Sequence, residues 1–180
     1  MAKSTDVIRI VEQISKVHLT LRQLLRNTIK LRGALPPYDR NVKIVKVGAV
    51  PSTKSVRFDA EAYGSNKYDV TITFYRVNFS QEKDSEFNIP VDTNEGRYFI
   101  RKLSMSKNPV KVFCSCPWFR FACEWYLADH GSLAVARKKR PYQRKKGSKR
   151  KPVNPSKLPC ICKHIYGLSE ELRLINVLGD

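Results

Sequence analysis

Four residues of types that bind metal ions form two closely spaced pairs in the second half of the chain. Cys114 and Cys116 are separated by one residue where a predicted strand meets a turn, and Cys162 and His164 repeat that spacing before a predicted helix. Side chains at positions i and i+2 of an extended backbone point the same way, so each pair can face one point. Thiolate and imidazole suit a tetrahedral Zn²⁺ site, and four protein ligands leave no position for a reacting water. The spacing therefore predicts one structural zinc ion.

The other two cysteines leave an alternative open for the ligand set. Cys160 precedes Cys162 by two residues, so it can either replace one of the four predicted ligands or lie beside the site, and we favour the second. Cys123 falls in a predicted helix rich in aromatic residues, where a free cysteine packs as a small hydrophobe. Five cysteines without a secretory leader predict a reducing compartment, such as the cytoplasm, and a protein that is not secreted.

The order C-x-C, spacer, C-x-H resembles the SWIM-type zinc finger, as do the flanking sequences CSCPWF and PCICKHIYGL. The resemblance covers residues 110–170 and implies that Cys114 and Cys116 lie in a β-hairpin and that Cys162 and His164 begin a helix. Such a ββα unit would bind DNA or protein. The spacer of 45 residues is longer than in most SWIM fingers. The layout of sheet, FxxxCEW helix and SWIM ending is similar to small SWIM-bearing virion proteins of large tailed bacteriophages.

A basic segment lies inside this region. The formal net charge is +18, and residues 137–157 contain 11 Lys/Arg and no Asp/Glu, whereas residues 36–136 carry 14 against 11. Such a segment is expected to be an extended loop that contacts phosphates through salt-dependent, sequence-independent attraction. A solvated tail, or a nuclear-localisation signal if the source is eukaryotic, is the alternative. The predicted nucleic-acid-binding residues are Arg137, Lys138, Lys139, Arg140, Tyr142, Arg144, Lys145, Lys146, Lys149, Arg150 and Lys151.

The N-terminal region has the heptad-like spacing of a long amphipathic helix. Apolar residues recur at alternating steps of three and four from Val7 to Leu31, and Gly33 with Pro36 and Pro37 ends the pattern. The pattern predicts one helix over residues 5–32, which packs either on the protein's own sheet or on another subunit.

The middle of the chain changes to a period of two, which is typical of strands. Strands are predicted at 42–47, 55–62, 68–74, 97–104 and 110–115, with a hairpin turn at 64–66, a long loop over 80–96, and helices over 118–130 and 165–178. The predicted fold class is α+β with an antiparallel sheet. Its regions are an N-terminal helix (1–35), a β region (36–109) and a SWIM-like zinc module (110–180) with the basic insertion 137–157.

Taken together, these features favour a non-enzymatic zinc protein. The 16 carboxylates form no evident acid–base pair, and a phosphate-cradling glycine loop is missing, so neither an enzyme nor a small-molecule substrate is expected. The leading hypothesis is a structural component of a tailed-phage virion, located in the virion or in the cytoplasm of a bacterial host. Its expected partners are nucleic acid, DNA rather than RNA, and other structural proteins of the assembly, with no membrane involved. The alternative is a free regulatory or recombination-related nucleic-acid-binding protein.

Overall fold

A computed structural model describes residues 17–135 and 153–180 of the protein. Within these ranges the helices are α1 (Leu21–Arg32), α2 (Pro117–Ala122), α3 (Glu124–Asp129) and α4 (Lys163–Leu174). The strands are β1 (Val42–Val50), β2 (Ser55–Tyr63), β3 (Lys67–Phe74), β4 (Phe79–Ser80), β5 (Ile89–Thr93), β6 (Gly96–Ile100), β7 (Leu103–Ser104), β8 (Val110–Cys114) and β9 (Leu178–Gly179). Among these residues no helix combines the length and the hydrophobicity needed to cross a bilayer.

The main sheet has the strand order β1-β2-β3-β8 and is antiparallel throughout. Its register sets Ile72 opposite Val112 and Val70 opposite Cys114, all of them buried. Side chains two positions apart share one face of a sheet, so the buried row of β8 runs from Val110 through Val112 to Cys114. Helix α4 contacts β1, β3 and β8. The α+β class and the strands predicted around residues 42–74 and 110–115 are confirmed.

The prediction of one continuous helix over residues 5–32 is wrong. Residues 17–19 are non-helical, and the helix begins after Thr20, whose side chain and that of Gln23 form a reciprocal capping box. The preceding backbone is used by the sheet instead, because Val110 N donates to Leu19 O at 2.8 Å. Residues 5–16 lie outside the described ranges.

Helix α1 packs on the protein's own core. Leu21, Leu24 and Thr28 of the predicted apolar seam are buried. Asn27 Nδ2 donates to Pro159 O at 2.9 Å, and Thr28 Oγ1 accepts from Ile161 N at 3.0 Å. Helix α1 therefore holds residues 159–161, the segment that leads into α4.

The long loop predicted over residues 80–96 contains a strand that the sequence pattern missed. β5 pairs with β6 antiparallel, with Val91 opposite Tyr98 and Thr93 opposite Gly96. Gly96 has φ +120°, a conformation that favours glycine and closes this short hairpin. Only Ile89 and Val91 alternate with polar or proline residues there, so the period-two pattern was too short to be recognised.

Three other predicted elements are shorter than expected. The strand 97–104 divides into β6 and β7, and β7 pairs in parallel with β9, which forms where the last helix was predicted to continue. The aromatic helix 118–130 divides into α2 and α3 at Cys123. Among the aromatic residues of this segment, Phe119 is fully buried, whereas Phe121 is 51% exposed.

Gly167 allows the segment before β1 to approach α4 closely. A Cβ at this position would lie 2.3 Å from the carbonyl oxygen of Asp39 and 2.9 Å from Val42 Cγ2. Contacts this short force the backbone to move. Gly167 is therefore a contact point between α4 and the backbone of Asp39.

We expect Gly167→Ala to lower the free energy of unfolding by about 1–3 kcal/mol, because the added methyl group overpacks this contact. Gly48→Ala is the matched control, since a Cβ at Gly48 meets no atom within 4 Å. Urea denaturation followed by circular dichroism measures both. Equal effects of the two substitutions would contradict the close approach.

Candidate metal centre

The first pair of candidate ligands lies where β8 meets α2. Cys114 is the last residue of β8 and faces the core, and Cys116 is the N-cap of α2, with Pro117 as the first helical residue. Two backbone amides point at the sulfurs: Cys116 N donates to Cys114 Sγ, and Phe119 N donates to Cys116 Sγ, each at 3.4 Å. Such contacts favour the thiolate form of both residues. The hairpin implied by the SWIM resemblance is not formed here, because Pro117 directs the chain into a helix.

The second pair lies at the start of α4. Cys162 is the N-cap of this helix and His164 is its second residue, and both side chains are buried. Their approach is set by the extended residues 159–161, which bind α1 through Thr28 Oγ1. A helix start at this pair agrees with the expectation from the resemblance.

The two pairs meet at one point beneath the surface. One ligand atom from each of the four residues lies within 4.8 Å of every other, and the residues are at most 5% exposed. His164 Nδ1 is 3.5 Å from Cys114 Sγ and 4.0 Å from Cys162 Sγ. Three sulfurs and an imidazole nitrogen at these separations are compatible with a tetrahedral metal ion.

The three buried thiols are in contact with one another, which disfavours their ionisation, and a bound cation would offset this effect. Burial raises the pKa of Cys162 well above its usual value, and contact with Cys116 raises the pKa of Cys114 to about 12. The pKa of Cys116 is lowered, because the thiols of Cys114 and Cys162 donate to its sulfur. Side by side in the interior, the sulfurs therefore resist becoming three thiolates at once. A dication at their centre would stabilise all three and release protons on binding.

Asp39 supports His164 from the opposite side of the ring. Its Oδ2 lies 3.4 Å from His164 Nε2, the ring nitrogen that points away from the sulfurs, and 3.1 Å from Lys163 Nζ. Burial alone would raise the pKa of Asp39, but the Asn41 amide and the Lys163 ammonium outweigh it, so this pKa is lowered and the carboxylate is ionised. A carboxylate in this position orients a metal-binding imidazole and increases its basicity. Sequence analysis missed Asp39, because nothing in its local sequence connects it with a histidine 125 positions later.

Cys160 and Cys123 lie outside the four-residue cluster. Their sulfur atoms are 2.8 Å apart, and both residues are fully buried. Asn154 Nδ2 approaches Cys160 Sγ at 3.8 Å and also donates to the carbonyl oxygen of Ala122 at 2.7 Å. Cys160 therefore packs against α2 and α3 while Cys162, two positions later, faces the other sulfurs.

The predicted nucleic-acid-binding residues from Arg137 to Lys151 lie outside the described ranges. The chain on either side of them is attached to the metal-binding elements. Before the segment, Leu133 bridges Val112 of β8, and Ala134 N donates to Val112 O at 3.0 Å. After it, Asn154 binds the last residue of α2. The described residues before Arg137 and after Lys151 are thus attached to the elements that carry Cys114 and Cys116.

The chain matches no protein-family model, no curated protein and no solved structure. Its resemblance to SWIM-type zinc fingers stands on the cysteine and histidine spacing and on the flanking sequence.

We expect the purified protein to contain one metal ion per chain and to lose its C-terminal structure when the ion is removed. Apparent metal-binding free energies of about 10–16 kcal/mol in finger peptides match or exceed the stability of a whole domain. Metal analysis gives the stoichiometry, and hydrogen exchange should show lost protection in β8 and α4 after chelation. Cys162→Ser should reproduce the loss, while Cys160→Ala keeps the metal. A metal-free protein that still unfolds cooperatively would contradict the site.

A second prediction concerns the carboxylate behind His164. Asp39→Asn should lower metal affinity by about 10- to 100-fold, because the imidazole loses its charged orienting partner. Competition with a chromophoric chelator measures the affinity. Asp92→Asn is the control, since Asp92 pairs with Arg97 on the far hairpin. Indistinguishable affinities of the two variants would show that Asp39 does not act on the metal.

Proposed function

We propose that this protein is a non-enzymatic zinc protein that binds nucleic acid through a basic segment inserted in its metal-binding unit. The metal assignment rests on ligand chemistry. Three thiolates and an imidazole select Zn²⁺ over Mg²⁺ or Ca²⁺, which prefer oxygen ligands. A tetrahedron with Zn–S bonds of about 2.3 Å sets sulfurs about 3.8 Å apart, in keeping with atoms that all lie within 4.8 Å of one another.

The role of the ion is structural. All four positions of a tetrahedron would be filled by protein ligands, so no position remains for a water molecule or a substrate. The ion instead joins the end of β8 to the start of α4, two segments that are far apart in the sequence. The ion would thereby fix β8 relative to α4. The described residues on either side of 137–151 contact β8 and α2, which carry two of the four ligands.

The proposed nucleic-acid binding is carried by the charge of residues 137–151 together with the contacts that anchor the described residues on either side of them. Ten Lys/Arg and no Asp/Glu occur between residues 137 and 151, and the flanking Leu133 and Asn154 are bound to β8 and α2. Clustered cations suit a polyanion, because each phosphate contact releases condensed counterions. Contacts of this kind position the protein without reading sequence.

The SWIM resemblance supports the same assignment, since that family binds DNA or protein. It also favours a setting in the virion of a tailed phage, where the protein would contact DNA or an acidic subunit as a structural component. A free regulatory or recombination-related protein would use the same unit. The two settings differ in a simple observable: a virion component sediments with particles at constant stoichiometry, whereas a free protein is recovered with nucleic acid alone.

We expect neutralisation of the basic segment to weaken DNA binding and to flatten its dependence on salt. The variant replaces six cations with glutamine: Arg144, Lys145, Lys146, Lys149, Arg150 and Lys151. Six lost phosphate contacts would reduce the slope of log K against log salt by up to about five for duplex DNA, with the zinc content and melting temperature unchanged. Fluorescence anisotropy over a salt titration measures the slope.

The matched control replaces six exposed lysines elsewhere with glutamine: Lys30, Lys43, Lys46, Lys54, Lys83 and Lys107. It removes the same net charge but should retain most of the salt dependence. If both variants bind duplex DNA equally, net charge accounts for binding and the segment has no special role.

A further inference from the structure

A pocket opens next to the candidate metal centre. It has a volume of about 280 Å³, and three of the candidate ligands, Cys116, Cys162 and His164, are among its lining residues. This volume is just below the range of about 300–1,000 Å³ typical of sites for drug-sized ligands. The pocket therefore suits one small planar group rather than a large cofactor.

Two aromatic side chains line the pocket. Trp118, in the first turn of α2, lies under the guanidinium of Arg32 from the end of α1, with 5.3 Å between the Arg32 Cζ and the ring centroid. Tyr68, at the start of β3, stacks on His164, with ring centroids 5.0 Å apart and planes tilted by 33°. Aromatic rings and guanidinium planes are the surfaces on which unpaired bases stack.

The same pocket contains positive charge suited to a phosphate. Arg32 contributes a guanidinium whose side chain is held over Trp118, and Lys163 contributes an ammonium shared with Asp39. Lys163 is also the first residue of α4, whose N-terminus has no acidic residue in its first turn and no side-chain cap. The Asp39 carboxylate, which lines the same pocket, offsets part of this positive charge, so the phosphate contact depends mainly on Arg32.

The β2–β3 turn adds polar groups to the rim. Gly64, Ser65 and Asn66 line the pocket beside Tyr68, and Asn66 Nδ2 lies 3.4 Å from the Tyr68 hydroxyl. Hydroxyl, amide and backbone groups provide both donors and acceptors. Base edges carry the same two kinds of group, so this rim suits a nucleobase better than a purely apolar ligand.

We propose that this pocket takes one unpaired nucleotide, with the base against Trp118 and Tyr68 and the phosphate at Arg32 and Lys163. The proposal rests on the proposed function and extends it: the basic segment attracts any phosphate backbone, whereas the pocket accepts only a base free of its duplex partner. The protein then prefers single strands, or the ends and gaps of duplexes, to intact duplex.

The test uses the full-length zinc-loaded protein with a labelled oligothymidylate and a duplex of the same length. Trp118→Ala should weaken single-strand binding about five- to hundredfold, as loss of a stacked base does, and should change duplex binding less than twofold. Trp118→Phe should retain most of the single-strand affinity. Arg32→Gln should lower it and reduce the single-strand salt slope by about 0.7. Arg26→Gln, an exposed arginine on the same helix that does not line the pocket, is the control.

Photocrosslinking gives a second measurement that does not depend on a folded variant. An oligonucleotide carrying 5-bromouracil should form adducts with Trp118 or Tyr68 in the wild-type protein. Adducts confined to residues 137–157, or equal weakening of single-strand and duplex binding by Trp118→Ala, would overturn the pocket while leaving the basic segment as the binding element. Wild-type protein that binds neither oligonucleotide would overturn both proposals.

Discussion

The structure depends on one electrostatic constraint: three buried thiols and one imidazole converge at a point where the thiols cannot all ionise unless a cation balances their charge. Cys114 and Cys116 lie at or just after the end of β8, and Cys162 and His164 lie at the start of α4. These two elements are far apart in the sequence. The pKa of Cys114 is raised by contact with Cys116, and the pKa of Cys162 is raised by burial, so both thiolate forms are disfavoured. With an ion the same groups join β8 to α4, and α4 in turn covers the main sheet.

Three parts of the surrounding fold contact the elements that carry the candidate ligands. The sheet register directs Cys114 inward opposite Val70, and Thr28 of α1 holds the extended residues before Cys162. The segment before β1 adds a third support, because Gly167 lets it approach α4 and Asp39 N donates to Lys163 O at 3.2 Å. This backbone contact brings the Asp39 carboxylate to His164.

The two proposed contact regions for nucleic acid both adjoin the elements that carry the candidate ligands. The described residues on either side of 137–151 contact β8 and α2, and the pocket is formed between α1, β3, α2 and the start of α4. The first would supply attraction that does not depend on base identity or pairing, and the second a site of limited size that discriminates by shape. Such a division separates affinity from selectivity. If both regions require β8 and α4 to be joined, a bound ion would support binding without contacting the nucleic acid.

Much of the metal centre follows from sequence alone, because ligand type and i, i+2 spacing are local properties. Cys114, Cys116, Cys162 and His164 are identifiable in this way, as are the strands of the main sheet, whose alternation is long enough to be recognised. The end of α1 at Gly33 was likewise predictable from the local sequence.

Tertiary contacts decided the rest. The apolar period continues through Val17, yet residues 17–19 are non-helical because β8 offers Leu19 a backbone partner. Cys160 has the spacing of a ligand but packs against Cys123. The contacts of Asp39 with His164 and of Arg32 with Trp118 join residues distant in sequence, and such contacts arise only when separate elements pack together.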